Sequence, residues 1–329
     1  MTAAAEDGGA PRRWQALGMS CAPPPIILDC DPGHDDAIAI VVAARHTEVL
    51  GITTVAGNAP LSATTRNAII VRDLLGMGAP VHSGAERPLI REPKHADYVH
   101  GKSGMDGADL PEPSGPAAST DAVGFIIETC RANEGVWLVP TGPLTNIALA
   151  LRAAPDLGRR VAGISLMGGG TFGNRTAAAE FNIWCDPEAA DVVFSYGGPL
   201  IMAGLDLTHQ FQAVPARVEM VRALPGHLAV VLADLLDFFS GTYRSRHHGI
   251  GGAAVHDPLA VMALTHPDLF QRKNAHVEIE TDGHRTLGMT VIDQRDLREV
   301  PPGNCEWLTS LDADAAWQVV VDAIANFSN

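Results

Sequence analysis

Four aspartates that directly follow a short apolar segment constrain this chain more than any other feature. The segment Ile26–Leu28 predicts a buried strand, which Pro32 and Gly33 interrupt. The acids fall within eight positions: Asp29, Asp31, Asp35 and Asp36. Carboxylates packed beside an apolar strand repel one another and are costly to desolvate, so a bound cation is the simplest way to stabilise them. Oxygen ligands favour a hard ion, Ca²⁺ or Mg²⁺, over zinc.

Helix capping would account for part of this cluster without a cation. The apolar run that begins at Ala37 predicts a helix, so Asp35 and Asp36 lie at or just inside its N-terminus. Backbone N–H groups and the helix dipole favour negative charge there. Since a cap needs one acid rather than four, we prefer the cation site.

The charge and cysteine content limit the kinds of partner and compartment. A formal net charge of −15 over 329 residues argues against nucleic acid and anionic membranes, because both require clustered lysine and arginine. The five cysteines are scattered without a CxxC pair, which predicts neither a disulfide framework nor a zinc site and fits a reducing cytosol. No apolar run approaches the roughly 20 residues that span a bilayer.

Strand and helix patterns alternate along most of the chain. Residues 1–25 predict a disordered tail and residues 26–329 a single domain. The alternation is typical of an α/β fold with an open, mostly parallel sheet and helices on both faces. A long polar loop covers residues 91–119, and residues 276–280 and 286–292 predict a hairpin. Other strands are predicted over 26–28, 49–56, 80–84, 136–139, 161–167 and 200–205, and helices over 37–42, 61–75, 120–131, 144–151, 187–193, 215–224, 226–243, 258–264 and 312–325.

In such sheets, ligands bind beyond the carboxyl ends of the strands. Polar motifs fall in that place along this chain: Asp29 to Asp36, Asn58, Thr141, Met167 and Asp257.

Two short motifs resemble a phosphate-binding loop and a phosphatase active site, but each departs from the full pattern. Gly101-Lys102-Ser103 lacks the glycine five positions earlier that a P-loop needs, so we reject it. Asp29-Cys30-Asp31 resembles the Asp-x-Asp of Mg²⁺-dependent phosphatases of the haloacid dehalogenase type, in which the first aspartate is a nucleophile. Gly33 stands where those proteins usually carry Thr or Val, and they lack the second aspartate pair. This phosphatase is the alternative enzyme.

Residues 29–36 match throughout the Asp-x-Asp-Pro-Gly-x-Asp-Asp hallmark of the inosine/uridine-preferring nucleoside hydrolase family, which this chain resembles. The resemblance implies the nucleoside hydrolase fold and hydrolysis of the N-glycosidic bond of a ribonucleoside to free base and ribose. Further motifs follow in the family's order: Val55-Ala56-Gly57-Asn58, His100-Gly101, Asp106-Gly107, residues 140–146, Met167-Gly168-Gly169, residues 180–183, residues 186–190 and residues 255–258.

The resemblance also implies a calcium site and a mechanism. The carboxylates of Asp31, Asp36 and Asp257 and the backbone carbonyl of Thr141 would hold Ca²⁺, with ribose hydroxyls and a water completing its shell. Asp31 would take the proton of the attacking water. His256 would protonate the departing base, since its reference pKa of about 6.5 suits donation near neutrality.

By the same resemblance, several side chains contact the substrate. The ribose contacts are Asp35, Asn58, Met167, Asn174, Glu180 and Asn182. Candidates for base contact are Tyr98, His100, Tyr243, Arg244, His247 and His248, in two loops near residues 92–110 and 240–255. Strict purine enzymes of the family stack the base between tryptophans, and all five tryptophans lie outside these loops, which favours a broad or pyrimidine-tolerant enzyme. A homodimer or homotetramer is expected.

Helix starts and turns would also account for some of these residues. Asp257-Pro258 and Asp186-Pro187 both have the signature of a helix start. Only the resemblance makes Asp257 a metal ligand, and for Asp186 we prefer capping. Asn58 and Asn174 lie beside glycines, where asparagine is common in turns. A nucleoside- or ribose-binding protein without catalysis is a second functional class.

Overall fold

The computed structural model describes residues 23–246, 250–295, 297, 299 and 301–327, so nearly all of the predicted tail lies outside the described residues. The strands are β1 (Pro25–Cys30), β2 (Glu48–Thr54), β3 (Val81–Ser83), β4 (Trp137–Pro140), β5 (Gly163–Met167), β6 (Leu200–Ala203), β7 (Gln212–Ala213), β8 (Ala253–Ala254), β9 (Phe270–Ile279), β10 (Thr290–Asp293) and β11 (Cys305–Leu311). The helices are α1 (His34–His46), α2 (Leu61–Leu74), α3 (Asp97–His100), α4 (Ala122–Ala132), α5 (Thr145–Ala153), α6 (Phe181–Cys185), α7 (Pro187–Phe194), α8 (Leu205–Thr208), α9 (Pro215–Arg222), α10 (His227–Arg246), α11 (Pro258–Thr265) and α12 (Ala313–Phe327).

Nine strands form one sheet in the order β10-β9-β11-β6-β5-β4-β1-β2-β3. Every neighbouring pair from β3 across to β11 is parallel, whereas β9 runs antiparallel to both β11 and β10. The predicted mostly parallel α/β sheet is therefore confirmed. The chain leaves β1 in one direction through β2 and β3 and returns on the other side through β4, β5 and β6. This reversal between β1 and β4 is the topological switch point where doubly wound sheets bind ligands.

The central strand β1 is buried on both faces, as parallel strands covered by helices usually are. Ile26 and Leu28 pack in the larger core with residues of α1, α10, α11 and α12. Ile27 packs in a second core with residues of α4, α5 and α7. Because successive side chains of a strand point to opposite faces, helices cover both faces of the sheet, as predicted.

The differences from the sequence prediction concern short or irregular elements. The predicted hairpin is confirmed as β9 and β10, although β9 begins earlier, at Phe270. The helices α3 and α6 are not predicted, because four or five residues are too few to show helical periodicity. Strand β11 is also not predicted, since its buried and exposed positions do not alternate strictly. Within the described part of the chain, every helix is too short or too polar to cross a membrane.

Candidate active site

Polar residues from separate strand ends meet at the switch point between β1 and β4. Asp29 is paired with Pro140 across these two strands, and the N–H of Thr141 donates to the carbonyl oxygen of Asp29 at 2.8 Å. Asp31 follows β1, and Asn58 follows β2 on the other side. The structure therefore brings together the strand-end motifs that the sequence singles out.

One carboxylate oxygen of the fully buried Asp31 has no hydrogen-bond partner among the residues that the structure describes. Its Oδ2 accepts a hydrogen bond from the backbone N–H of Asn58 at 2.6 Å, whereas Oδ1 accepts none within the described part of the chain. A Cβ on Gly57 or Gly142 would come within 2.0 Å or 2.5 Å of this carboxylate, so only glycine fits beside it. Burial, and then the charge of Asp36, raises the pKa of Asp31 well above its usual range. A buried oxygen without a partner is costly unless a ligand satisfies it.

Three further carboxylates approach the same place from two helices. Asp35 and Asp36 lie in the first turn of α1, and Asp257 immediately precedes α11. One oxygen from each lies within 4.8 Å of the other two. The hydroxyl of Thr141 donates to Asp36 at 2.8 Å, and the backbone N–H of His256 donates to Asp35 at 3.1 Å. We call Asp31, Asp35, Asp36 and Asp257 the aspartate cluster.

The aspartate cluster suits a divalent cation. Burial, followed by the charge of Asp36, raises the pKa of Asp35 to about 7. Burial is also the main reason why the pKa values of Asp36 and Asp257 are raised. A nearby positive charge would favour the ionised forms of these groups, and the unpaired Oδ1 of Asp31 would gain a partner. The donors are all oxygen, which matches a hard ion.

The tightest group of carboxylates in the structure is not the same set as the metal ligands that the resemblance implies. The set implied by the resemblance contains Asp31, Asp36, Asp257 and the Thr141 carbonyl, whereas the tight trio contains Asp35 in place of Asp31. The Thr141 carbonyl oxygen already accepts a hydrogen bond from Nδ2 of Asn182 at 2.7 Å. A carbonyl oxygen has two lone pairs, so this bond leaves room for one more partner.

Two aspartates with the same helix-start signature differ in the structure. Asp186 caps α7, because its Oδ1 accepts from the N–H of Ala189 at 3.1 Å. The side chain of Asp257 makes no capping hydrogen bond to α11. Asp186 is therefore a helix cap, as we prefer from the sequence, whereas the Asp257 side chain does not cap its helix.

Asp29 lies in a separate environment beside the cluster. Its Oδ1 accepts from the hydroxyl of Thr53 at 2.6 Å and from Nδ2 of Asn146 at 2.8 Å, whereas its Oδ2 has no partner in the described ranges of the chain. Burial raises the pKa of Asp29 to about 7, against the effect of these two donors. A fully buried side chain held by two neighbours is poorly placed for the nucleophilic role that the phosphatase alternative requires.

A cleft beside the aspartate cluster contains all six candidates for ribose contact. It encloses about 790 Å³ of space, a volume that includes the solvent at its open mouth. We call it the aspartate cleft. The ribose candidates that line it are Asp35, Asn58, Met167, Asn174, Glu180 and Asn182. Thr141, His256 and Asp257 line it as well, whereas Asp31 is fully buried and is not among the lining residues.

Hydrogen bonds hold several of these lining residues in place. Glu180 caps α6 by accepting from the backbone N–H groups of Asn182 and Ile183, at 2.9 and 3.1 Å. Burial nevertheless raises the pKa of Glu180. Nδ2 of Asn58 lies 3.3 Å from Oδ2 of Asp36, and Oδ1 of Asn174 accepts from the N–H of Phe181. The lining is therefore ordered by the protein's own contacts.

Aromatic side chains also line the cleft. Three base-contact candidates line it: Tyr98, His100 and Tyr243. Arg244 is described but does not line the cleft, and Arg246, at the end of α10, does so instead. His247 and His248 lie outside the described residues. Sequence reasoning also missed Phe239, which lines the cleft from the same helix face as Tyr243 and could have been found by that i, i+4 spacing.

His256 is buried and hydrogen-bonded through both ring nitrogens. Its Nε2 lies 2.8 Å from the hydroxyl of Tyr243, and its Nδ1 lies 2.7 Å from the hydroxyl of Thr208. Burial, with His209 nearby, lowers the pKa of His256 to about 3, so the ordinary value of about 6.5 used in the sequence argument does not apply. No sequence signal points to Thr208, which reaches this site only through the fold.

Comparison with known proteins agrees with this geometry. Residues 26–318 match the model of the inosine-uridine preferring nucleoside hydrolase family. This chain belongs to that family. The nucleoside hydrolase is 46% identical over 309 residues to the pyrimidine-specific ribonucleoside hydrolase RihA of Shewanella sp. (strain MR-7), with 92% of this chain and 97% of that protein covered. A RihA of Enterobacter sp. (strain 638) is 43% identical, with 92% and 98% covered.

Solved structures lead to the same family. The purine-preferring ribonucleoside hydrolase from Gardnerella vaginalis superposes with a TM-score of 0.87 at 32% identity, covering 92% of this chain and 99% of that one. An inosine-guanosine nucleoside hydrolase superposes with a TM-score of 0.83 at 28% identity, covering 91% and 98%. The predicted fold and family are confirmed, and the enzyme hydrolyses the N-glycosidic bond of ribonucleosides.

Proposed function

We propose that this nucleoside hydrolase prefers pyrimidine ribonucleosides and holds Ca²⁺ in the aspartate cluster. The observation that carries the base preference is the 46% identity to a relative named pyrimidine-specific, against 32% to the structural neighbour named purine-preferring. Among the described residues, no tryptophan lines the aspartate cleft. This composition supports the preference, because strict purine enzymes of the family stack the base between tryptophans.

The calcium proposal depends on the donors that the chain supplies. Asp31, Asp36 and Asp257 would hold the ion with the carbonyl oxygen of Thr141, and Asp35 is close enough to join them. Mixed carboxylate and carbonyl oxygens in a flexible arrangement suit Ca²⁺ better than Mg²⁺, which demands a near-ideal octahedron. When bound, the ion would acidify the attacking water and fix the ribose hydroxyls.

Asp31 is the proposed general base. The reaction adds the oxygen of water to C1′ of the ribose and breaks the bond from C1′ to the base nitrogen, through a cationic ribosyl transition state. The proton of the water passes to a carboxylate oxygen of Asp31. A bound cation would favour the ionised form of Asp31, which is the form that can accept this proton. The neighbouring acids also stabilise the positive charge that develops on the ring.

The ribose is positioned by the polar side chains of the cleft. Asn58 and Asn182 offer amide groups, and Glu180 and Asp35 offer carboxylate oxygens, in the lining of the cleft. Their own hydrogen bonds hold these groups before the substrate arrives, which lowers the entropic cost of orienting the sugar. Met167 contributes the apolar surface beside them.

The departing base meets the hydrogen-bonded pair of Tyr243 and His256. Burial lowers the pKa of His256 to about 3, so this residue is neutral at pH 7. It therefore does not act as an imidazolium that protonates the leaving base. We propose instead that the pair donates a hydrogen bond to the leaving base through the hydroxyl of Tyr243, which lies 2.8 Å from Nε2 of His256. This bond would disperse the negative charge of the base, which takes its proton from solvent on release.

A base-release assay over uridine, cytidine and inosine tests the proposed preference. We expect kcat/KM for the two pyrimidine nucleosides to exceed that for inosine by roughly tenfold or more, as differences in pocket shape commonly achieve. An enzyme that prefers inosine would contradict the proposal. Phosphate release from a phosphomonoester without base release would favour the phosphatase alternative, and nucleoside binding without turnover would favour the binding protein.

Two further expectations concern the cellular compartment and the oligomeric state. The four cysteines within the described residues are free and buried, which supports a reducing compartment such as the cytosol. The homodimer or homotetramer implied by the family stays a prediction, which sedimentation velocity of the purified protein would check.

A further inference from the structure

His34 occupies one of the two variable positions of the aspartate motif, yet its side chain is fully buried at the inner side of the cleft wall. Its Nε2 lies 2.8 Å from the carbonyl oxygen of Asp106, and its Nδ1 lies 3.0 Å from Nδ1 of His100. The rings of Phe238 and Phe239 stack on the imidazole at 5.3 and 5.2 Å between centroids. These contacts give the ring one orientation.

The loop that supplies the Asp106 carbonyl is itself fastened. The Asp106 carboxylate accepts from the backbone N–H groups of Lys102 and Ser103, at 3.0 and 3.1 Å. Gly101 and Gly107, with φ values of 76° and 109°, adopt the left-handed backbone that this tight loop requires. The carbonyl oxygen therefore faces His34 as a fixed acceptor.

These contacts determine which ring nitrogens carry hydrogen. A carbonyl oxygen can only accept, so Nε2 of His34 is the nitrogen that bears hydrogen. In a neutral imidazole the other nitrogen is then an acceptor, so Nδ1 of His34 accepts and Nδ1 of His100 donates. Nε2 of His100 is left as an acceptor.

One longer contact would require the opposite assignment. The backbone N–H of His34 lies 3.5 Å from Nδ1 of His100, which would have to accept from it. That distance is at the limit of a hydrogen bond, whereas the 2.8 Å and 3.0 Å contacts are near the optimum. The two shorter bonds therefore decide the arrangement.

The acceptor nitrogen of His100 is available to a ligand. His100 lines the aspartate cleft together with Phe239 and Tyr243, and the Phe239 ring contacts both of the other rings. Within the described residues no hydrogen-bond partner is found for Nε2 of His100, and this atom is not among the fully buried unpaired ones. Burial, and then the neighbouring His34, holds the pKa of His100 well below its usual range, so the ring is neutral.

We propose that His34 is a positioning residue that fixes the tautomer of His100, so that the cleft selects nucleobases that present an N–H donor to Nε2 of His100. The inference rests on the proposed pyrimidine ribonucleoside substrate. Uracil offers the N–H at its N3 position, and cytosine offers its amino group. A pyrimidine whose ring N–H is replaced by N-methyl leaves this nitrogen unpaired and is rejected, because a site built to bind an N–H discriminates strongly against its absence.

The first test measures the tautomers without any turnover. Two-bond ¹H–¹⁵N correlation spectra of the intact ¹⁵N-labelled protein distinguish ring nitrogens that bear hydrogen from those that do not. We expect hydrogen on Nε2 of His34 and on Nδ1 of His100. Hydrogen on Nε2 of His100 in the resting enzyme would overturn the inference. Because no substrate is added, this result is independent of the proposed base preference.

The second test uses a matched pair of substitutions that separate the two roles of the His34 ring, which accepts a hydrogen bond at Nδ1 and donates one at Nε2. His34→Asn keeps an oxygen acceptor near the position of Nδ1, whereas His34→Gln keeps a donor near the position of Nε2 and removes the acceptor. The measured quantity is the ratio of kcat/KM for uridine to that for 3-methyluridine. We expect a ratio of roughly tenfold or more in the native enzyme and in His34→Asn, and a much smaller ratio in His34→Gln, since His100 is then free to change tautomer.

The methyl group also adds bulk, and the same comparison separates the two effects. If 3-methyluridine is refused on size alone, the ratio will be equal in the native enzyme and both variants, and the inference fails. A general loss of activity through damaged packing would lower kcat/KM for both substrates together and leave the ratio high in His34→Gln, which would also contradict it.

Discussion

The backbone N–H of Asn58 donates to one oxygen of Asp31 at 2.6 Å, while the other oxygen of the same carboxylate has no partner among the described residues. The first contact fixes the orientation of the side chain. The second oxygen is then directed by the protein and left for a ligand, in a place where neither Gly57 nor Gly142 could carry a side chain. This asymmetry suits the two roles proposed for Asp31, as a ligand of the ion and as the general base.

Asp31→Asn should lower kcat for uridine by roughly 10²- to 10⁴-fold, the usual loss when a general base is removed. The amide cannot take the proton, and it binds a divalent ion poorly. Steady-state kinetics and elemental analysis of the purified variant measure both effects. Asp29→Asn is the matched control, because Asp29 is equally buried but bonded to Thr53 and Asn146. Near-native turnover by Asp31→Asn would remove the proposed role.

Asp29→Asn should change how the stability of the metal-free protein depends on pH. The folded-state pKa of Asp29 is about 7, above its usual value, so the folded state binds the proton more tightly than the unfolded state does. Its contribution to stability is complete below pH 4 and is lost as the pH rises through 7. The variant cannot ionise, so its free energy of unfolding relative to the native protein should rise by roughly 4 kcal/mol over that range.

Urea unfolding at pH 4, 6 and 8 in the presence of a chelator measures this difference. An unchanged difference between the two proteins across the three pH values would show that Asp29 is ionised in the folded state throughout. The Asn amide oxygen retains an acceptor for Thr53 and Asn146, so packing alone does not account for a pH-dependent effect.

Tyr243→Phe should slow hydrolysis of uridine by roughly tenfold to hundredfold, because it removes the hydroxyl that bonds to His256 and that we propose donates to the leaving base. The loss should be smaller for p-nitrophenyl riboside, whose leaving group needs little help. Tyr196→Phe is the control, since the hydroxyl of Tyr196 bonds to the Pro199 carbonyl outside the cleft. Equal slowing of both substrates by Tyr243→Phe would argue against leaving-group assistance.

The sequence predicts the parts of this site that depend on local order. The run from Asp29 to Asp36 already places an acidic cluster between a strand and a helix, and the structure has β1 and α1 on either side of it. Strand-end residues such as Asn58 and Thr141 are predictable as neighbours for the same reason, since parallel strands bring their carboxyl ends to one edge.

Other features depend on tertiary contacts that no local pattern contains. Asp186-Pro187 and Asp257-Pro258 are alike in sequence, and only their surroundings separate a helix cap from a cleft-lining acid. The partnership of His256 with Thr208 joins residues 48 positions apart, and that of His34 with His100 joins residues 66 apart. The depressed pKa of His256 has the same origin, because burial rather than residue type sets it.

Removal and return of the metal ion test the central claim most directly. Uridine hydrolysis should be measured before chelation, after exhaustive chelation with the loss of divalent ions checked by elemental analysis, and again after titration with Ca²⁺ or Mg²⁺. We predict that activity disappears with the ion and returns with Ca²⁺ in preference to Mg²⁺. Full-rate release of uracil by protein that contains no divalent ion would contradict the account.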